Sequence, residues 1–223
     1  MGFARQYLEE ASRALDALDD GAIDALAALI AEVRDRGGRL FVVGVGGGAA
    51  HAAHAVADFR TLAGIEAYAP TDNAPELTAR INDGGWAGSF AAWLRGSRLG
   101  RKDLVLVLSV GGGDRARQVS PNVVEALALA RKVGARIAGI VGRDGGYTAR
   151  VADACVVVPT VHPDRVTAHT EGLQSVVLHL LVSHPRLNVA TPRWESLTRD
   201  FVGRSGSPRT KSLAARAKRA GRR

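Results

Sequence analysis

The 223-residue chain has one cysteine, no uninterrupted apolar stretch of membrane-spanning length, and only two acidic residues after position 185. Each scarcity excludes something. Cys155 stands alone in the apolar run 154–158, which excludes an internal disulfide and suits a reducing cytoplasm. No run approaches the roughly 18 apolar residues of a spanning helix, so a membrane protein is not expected. Residues 1–10 carry Arg5, Glu9 and Glu10 without an apolar core, so they are not expected to act as a secretory leader. No repeat is long enough to suggest a solenoid.

The shortage of acid at the C-terminal end explains the net charge. The chain carries +8, and from Arg186 onward eleven Lys and Arg face only Glu195 and Asp200, a balance of +9 that leaves residues 1–185 at −1. The basicity belongs to a tail, rich in Gly, Ser and Pro at 203–208 and in like charge from Lys211 to Arg223. Residues 1–186 are expected to form one domain, and 187–223 a basic tail that is at least partly disordered. Trp194, Leu197 and Phe201 have the spacing of one short helix, so order is expected to reach about residue 202. A polyanion or acidic partner is the alternative role for the tail.

What remains is 46% hydrophobic and enough for one full core. Apolar spacing predicts two helices first, over 3–19 and 22–36, either covering a sheet or meeting another subunit. Five apolar runs follow, at 40–45, 65–69, 104–110, 136–141 and 154–158. Helical patterns lie between and after them, at 49–63, about 75–95, 121–133 and about 165–184. Continuous Val, Ile and Leu runs alternating with helices predict an α/β fold, a three-layer sandwich around a five-stranded parallel sheet.

Two glycine turns sit where ligands bind in such sheets. Gly44-Val45-Gly46-Gly47-Gly48-Ala49 follows the first run and opens a helix; Ser109-Val110-Gly111-Gly112-Gly113 follows the third, with Ser120-Pro121 starting the next helix. Glycine lets the backbone approach a ligand, and exposed amides at a helix start attract anions, so the pair points to one phosphorylated ligand. Gly44-x-Gly46-x-x-Ala49 also fits the dinucleotide fingerprint, but Glu66 stands at the start of the next apolar run, where a ribose-binding acid belongs at its end. Neither turn has the lysine of a P-loop.

On the helix after the first turn, His51, His54 and Asp58 share a face at spacings of three and four. Two imidazoles and a carboxylate so placed suit a divalent metal or a base with its orienting partner, unless they form a solvated polar face. On the last helix, Glu171, Gln174 and His179 share one half. His162, His169 and His184 read as structural.

Together these motifs resemble the sugar isomerase (SIS) domain, and within it the phosphoheptose isomerases. The carriers are Gly44 to Ala50 with His54 and Asp58, Thr71-Asp72, Asn82-Asp83, the Ser109 turn, Ser120-Pro121-Asn122, Gly142-Arg143-Asp144-Gly145-Gly146 and Glu171 to His179. The resemblance implies an aldose–ketose isomerase that interconverts sedoheptulose 7-phosphate and D-glycero-D-manno-heptose 7-phosphate through an enediol, with Asp58 as base and His179 as acid. It implies zinc held by His54, Asp58, Glu171 and His179. It implies substrate contacts from Gly46, Gly47, Gly48, Ser109, Gly111, Gly112, Ser120, Asp72 and Asp83, and a homodimer or homotetramer with sites at its interfaces. A non-catalytic SIS-domain sensor, a scaffold like the family's replication-initiator-associating branch, and an isomerase of another phosphosugar are the alternatives. Several positions depart from the family pattern. Val45 and Gly48 replace Asn and Ser, and Val110 and Gly111 replace two hydroxyl residues. About six extra residues carrying Arg115 and Arg117 precede Ser120, Glu171 replaces Gln, and Asp58 is one methylene shorter than Glu.

Overall fold

The computed structural model describes residues 2–204. Contacts divide the chain into two compact units, Met1–Ala190 and Thr191–Arg223. The first unit opens with helices α1 (Phe3–Asp16) and α2 (Asp20–Asp35) and continues through β1 (Leu40–Gly44), α3 (Gly47–Leu62), β2 (Ala67–Tyr68), α4 (Ala74–Gly96), β3 (Leu104–Ser109) and α5 (Pro121–Val133). It ends with β4 (Arg136–Val141), α6 (Gly146–Val151), β5 (Ala154–Val157) and α7 (Val166–Ser183). The second holds α8 (Arg193–Arg204), two residues beyond the expected reach of order; the lysine- and arginine-rich segment after it lies outside the described residues.

All five strands are parallel, in the order β2-β1-β3-β4-β5. Successive side chains of a strand point to opposite faces, and because both faces are covered neither alternate set is polar. Leu40 and Val42 of β1 join Leu26 and Ile30 of α2, Phe59 of α3 and Val177 and Leu181 of α7 in one core. Phe41 and Val43 join Phe90 and Leu94 of α4 and Val123 and Leu127 of α5 in the other. These are the three layers the alternation of runs and helices predicts.

The differences from expectation are local. The edge strand β2 is two residues long rather than five. Helix α4 is broken at Gly85, whose φ of 76° lies in the left-handed region open to glycine. The glycine turn at 142–146 leads into a short helix, α6, too brief to show a period. The most informative difference is α1. Its apolar positions Leu8 and Leu15 are 59% and 47% exposed, and its buried residues are Glu10 and Ala14. Glu10 receives two hydrogen bonds from Arg165, both 2.7 Å, and lies 3.1 Å from His169 Nε2. An ion pair, with Ala14 in the apolar core and the Tyr7 ring 4.6 Å from that of His169, docks α1 beside the start of α7. That contact also accounts for His169 as a structural residue.

Candidate active site

Helices α3 and α7 pack side by side in parallel, and their register assembles the site. Gly47 lies against Glu171, His51 against Gln174, and the pair His54 and Asp58 against His179. Residues three and four apart share a helix face, so one seam brings every polar group on that face of α3 to a counterpart on α7.

At the far end of the seam, Asp58 Oδ2 lies 3.1 Å from His54 Nε2 and 3.7 Å from His179 Nε2. The two imidazole rings meet edge to face at 5.0 Å. Asp58 is 26% exposed and the imidazoles are about half exposed, so solvent or substrate reaches all three. Ala55, Phe59, Ser175, Leu178 and Val182 wall the cleft between the helices, which is apolar apart from the triad and Ser175. Two bases and a carboxylate in mutual reach can pass a proton between adjacent atoms of one substrate.

The same three groups suit a divalent cation. Their ligand atoms all lie within 4.8 Å of one another, and two imidazole nitrogens with one carboxylate form a donor set that leaves a fourth position open. The fourth expected ligand, Glu171, is not with them. It precedes His179 by eight residues, roughly 12 Å along a helix. Its carboxylate instead fills the space beside Gly47, where a Cβ would collide with it. The start of α3 favours negative charge, which is a physical reason for it to sit there.

Halfway along the seam, His51 Nδ1 lies 3.4 Å from Gln174 Oε1, and Gln174 Nε2 donates to the Ile140 carbonyl at 2.8 Å. The fully buried Gln174 therefore ties the helix pair to β4. The sequence offered both residues but no sign that they meet.

The two glycine turns differ as cradles. In the first, the amides of Gly48 and Ala49 donate to the carbonyls of Val45 and Gly46. A Cβ at Gly48 would run into the Leu108 carbonyl, so the serine expected of the family does not fit this backbone. In the second, Gly112 N donates to Ser109 Oγ at 3.1 Å, while the Gly112 and Gly113 carbonyls accept from Thr148 and Tyr147 at the start of α6. Gly111 stays at the surface of this turn, lining a cleft with Arg117 and Arg143. Ser120 holds a left-handed φ of 48° at the start of α5, and its side chain caps nothing. Asp72 lines a separate cavity of about 350 Å³ with Arg39, Tyr68 and Trp93. Asp83 is exposed on α4 near the Gly85 break, paired with Asn82. Neither aspartate joins the triad.

With this geometry in place, likeness to known proteins is informative. Residues 6–142 match the family model described as the SIS domain. The chain is 34% identical over 165 residues to the phosphoheptose isomerase of Geotalea daltonii, covering 71% of this chain and 80% of that one. It is 35% identical over 174 residues to that of Chlorobaculum parvum, covering 74% and 79%. The solved phosphoheptose isomerase of Neisseria gonorrhoeae superposes with a TM-score of 0.69 at 26% identity, covering 81% of this chain and 94% of the other. The chain therefore belongs to the SIS domain family, on its phosphoheptose isomerase branch, and is a phosphosugar isomerase.

Proposed function

We propose that the substrate pair is sedoheptulose 7-phosphate and D-glycero-D-manno-heptose 7-phosphate, a ketose and aldose that fit the name phosphoheptose isomerase carried by the relatives. The observation that carries the reading is the meeting of Asp58 with His54 at 3.1 Å and with His179 at 3.7 Å. Asp58 takes a proton from C1 of the ketose and returns it to C2. His179 carries the hydroxyl proton between the oxygens, so the enediol forms and collapses with every atom retained. His54, on the other side of the carboxylate, orients Asp58. Where His54, Asp58 and His179 close on zinc, the ion supplies polarisation of the substrate carbonyl.

The site is read as completed by a second copy. The triad is half open to solvent, and Val176 and Leu180 are 42% and 40% exposed on α7 beside His179. Leu8 and Leu15 of α1 are exposed too. Exposed apolar side chains at these places suit a homodimer or homotetramer with sites at its interfaces. The sugar phosphate substrate and the single, partly buried thiol suit a cytoplasmic setting.

A sugar-phosphate sensor is the second reading, favoured by the carboxylate of Glu171 at the turn where a phosphate is expected. Incubation of the purified chain with sedoheptulose 7-phosphate, followed by NMR for the aldose, separates the two. Turnover abolished by His179→Ala supports the isomerase; no turnover by the unaltered chain leaves the sensor. A panel of pentose and hexose phosphates tests the sugar.

A further inference from the structure

Beyond the triad, several arginines meet where the β3–α5 connection faces the start of α6. The stretch between β3 and α5 folds back on itself through an antiparallel bridge, Asp114 N donating to the Val119 carbonyl at 2.9 Å and Val119 N to the Asp114 carbonyl at 3.0 Å. The tip of this small hairpin carries Arg115 and Arg117. Facing it, the connection from β4 into α6 carries Arg143, and α6 carries Arg150. Arg117, Arg143 and Arg150 line a small cleft of about 60 Å³ together with Gly111, Gly113 and Gly146.

The charges there are not balanced. Two carboxylates, Asp114 and Asp144, also line the cleft, but both are engaged by main-chain amides. Asp114 Oδ1 accepts from Ala116 N and Arg117 N at 2.9 and 3.0 Å, and Asp144 Oδ1 from Gly146 N at 3.3 Å. The amide of Arg117 above all holds the Asp114 carboxyl below its usual range, so it stays an acceptor turned into its own loop. Among the described residues, Arg117 is the one of the three guanidinium groups that reaches a carboxylate, at 3.8 Å. Arg143 has a left-handed φ of 54°, as does Gln118 on the hairpin; such backbone is costly for non-glycine residues and collects at ligand sites. Arg115 and Arg150 each lie over the Tyr147 ring, 5.4 and 6.0 Å from its centroid, which limits their freedom.

We propose that this cleft is a phosphate site, in which Arg117, Arg143 and Arg150 grip a phosphomonoester or inorganic phosphate dianion. Planar guanidinium forks match phosphate oxygens in pairs, and three of them around one cleft offer more side-chain donors than either glycine turn does. The site is separate from the triad, and its ligand is either the phosphate end of a sugar phosphate or a distinct phosphorylated effector.

Inorganic phosphate is titrated calorimetrically into the full chain at low ionic strength. One saturable site is expected, weakened about tenfold by Arg143→Asn, which keeps a side chain tolerant of left-handed backbone, and lost in Arg117→Ala/Arg150→Ala. The basic tail is the same in every variant and cannot produce the difference. Wild-type affinity in both variants, or no binding by the unaltered chain, overturns the proposal. Kinetics with a turned-over sugar phosphate then identify the source. A KM raised about tenfold at constant kcat assigns the cleft to the substrate's phosphate. An unchanged KM alongside lost phosphate binding assigns it to an effector. Because phosphate binding is read directly, failure of the acid–base reading leaves this result standing, and the reverse.

Discussion

Replacement of Asp58 by Asn tests the triad with the least disturbance. Asn has the same shape but no negative charge and no basic oxygen. The carboxylate sits between two imidazoles at 3.1 and 3.7 Å and is 26% exposed, so its loss leaves no buried charge unpaired. Partly exposed ion pairs contribute about 0–1 kcal/mol, so a 23.4 kDa fold is expected to melt within a few degrees of the parent. Catalysis is a different matter. A positioned general base contributes about 10²–10⁴ in rate, which at roughly 1.4 kcal/mol per decade is about 3–6 kcal/mol of barrier. The expected result is kcat for sedoheptulose 7-phosphate lowered by about a thousandfold with a nearly unchanged melting curve. Asp58→Glu, which restores the family's longer acid, is expected to stay within about a hundredfold, because the 3.7 Å gap to His179 leaves room for adjustment. If Asp58→Asn retains kcat within tenfold of the parent while remaining folded, Asp58 is not the base and the proposed proton path fails.

Three further outcomes follow from other parts of the molecule. Hydrogen bonds from Arg165, with His169 and Gln6 adding to them, hold the Glu10 carboxyl far below the usual carboxylate range. Its contribution to stability is therefore complete above the unfolded value near ~4.3 and is lost as pH falls below it; thermal melts from pH 7 to pH 3 should decline more steeply for the parent than for Glu10→Gln. Burial pushes the Cys155 thiol up to about 11, so a thiol reagent at pH 8 should label it slowly in the folded chain and quickly in denaturant. Gly112 has a φ of 67°, and a Cβ there would strike the Gly145 carbonyl; Gly112→Ala is expected to cost more than about 1 kcal/mol, seen as a lower urea midpoint.

The layers were readable in the sequence because each strand is a continuous apolar run, while positions whose meaning depends on register were not. The apolar runs of β1, β3 and β4, rich in Val, Leu and Ile, have no other stable place than between two helical layers. The spacing of His51, His54 and Asp58 placed them on one face of α3, but nothing local says which turn of α7 they meet. The parallel seam decides that, pairing Asp58 with His179 and leaving Glu171 more than two turns away at Gly47. Gln174 and Glu10 were opaque for the same reason: their partners, His51 and Arg165, lie 123 and 155 residues away along the chain. The α1 pattern gave the helix but not its partner, because amphipathic spacing identifies an apolar face without saying what covers it.

The departures at the two glycine turns are physically connected. A carboxylate at the start of α3 takes the electrostatic advantage that a helix start otherwise offers to a phosphate, and it repels a dianion brought to the same place. Gly48 cannot be restored to serine without moving the Leu108 carbonyl, so no hydroxyl compensates there. At the second turn, the Gly112 amide is already given to Ser109, and the carbonyls beyond it are committed to α6. Both main-chain cradles are thus weakened in the chain whose β3–α5 hairpin brings Arg117 opposite Arg143 and Arg150. Cations on side chains then take over from amides on the backbone as the means of holding an anion at this end of the sheet, and affinity at this end should fall more steeply with salt than for a phosphate held by amides alone.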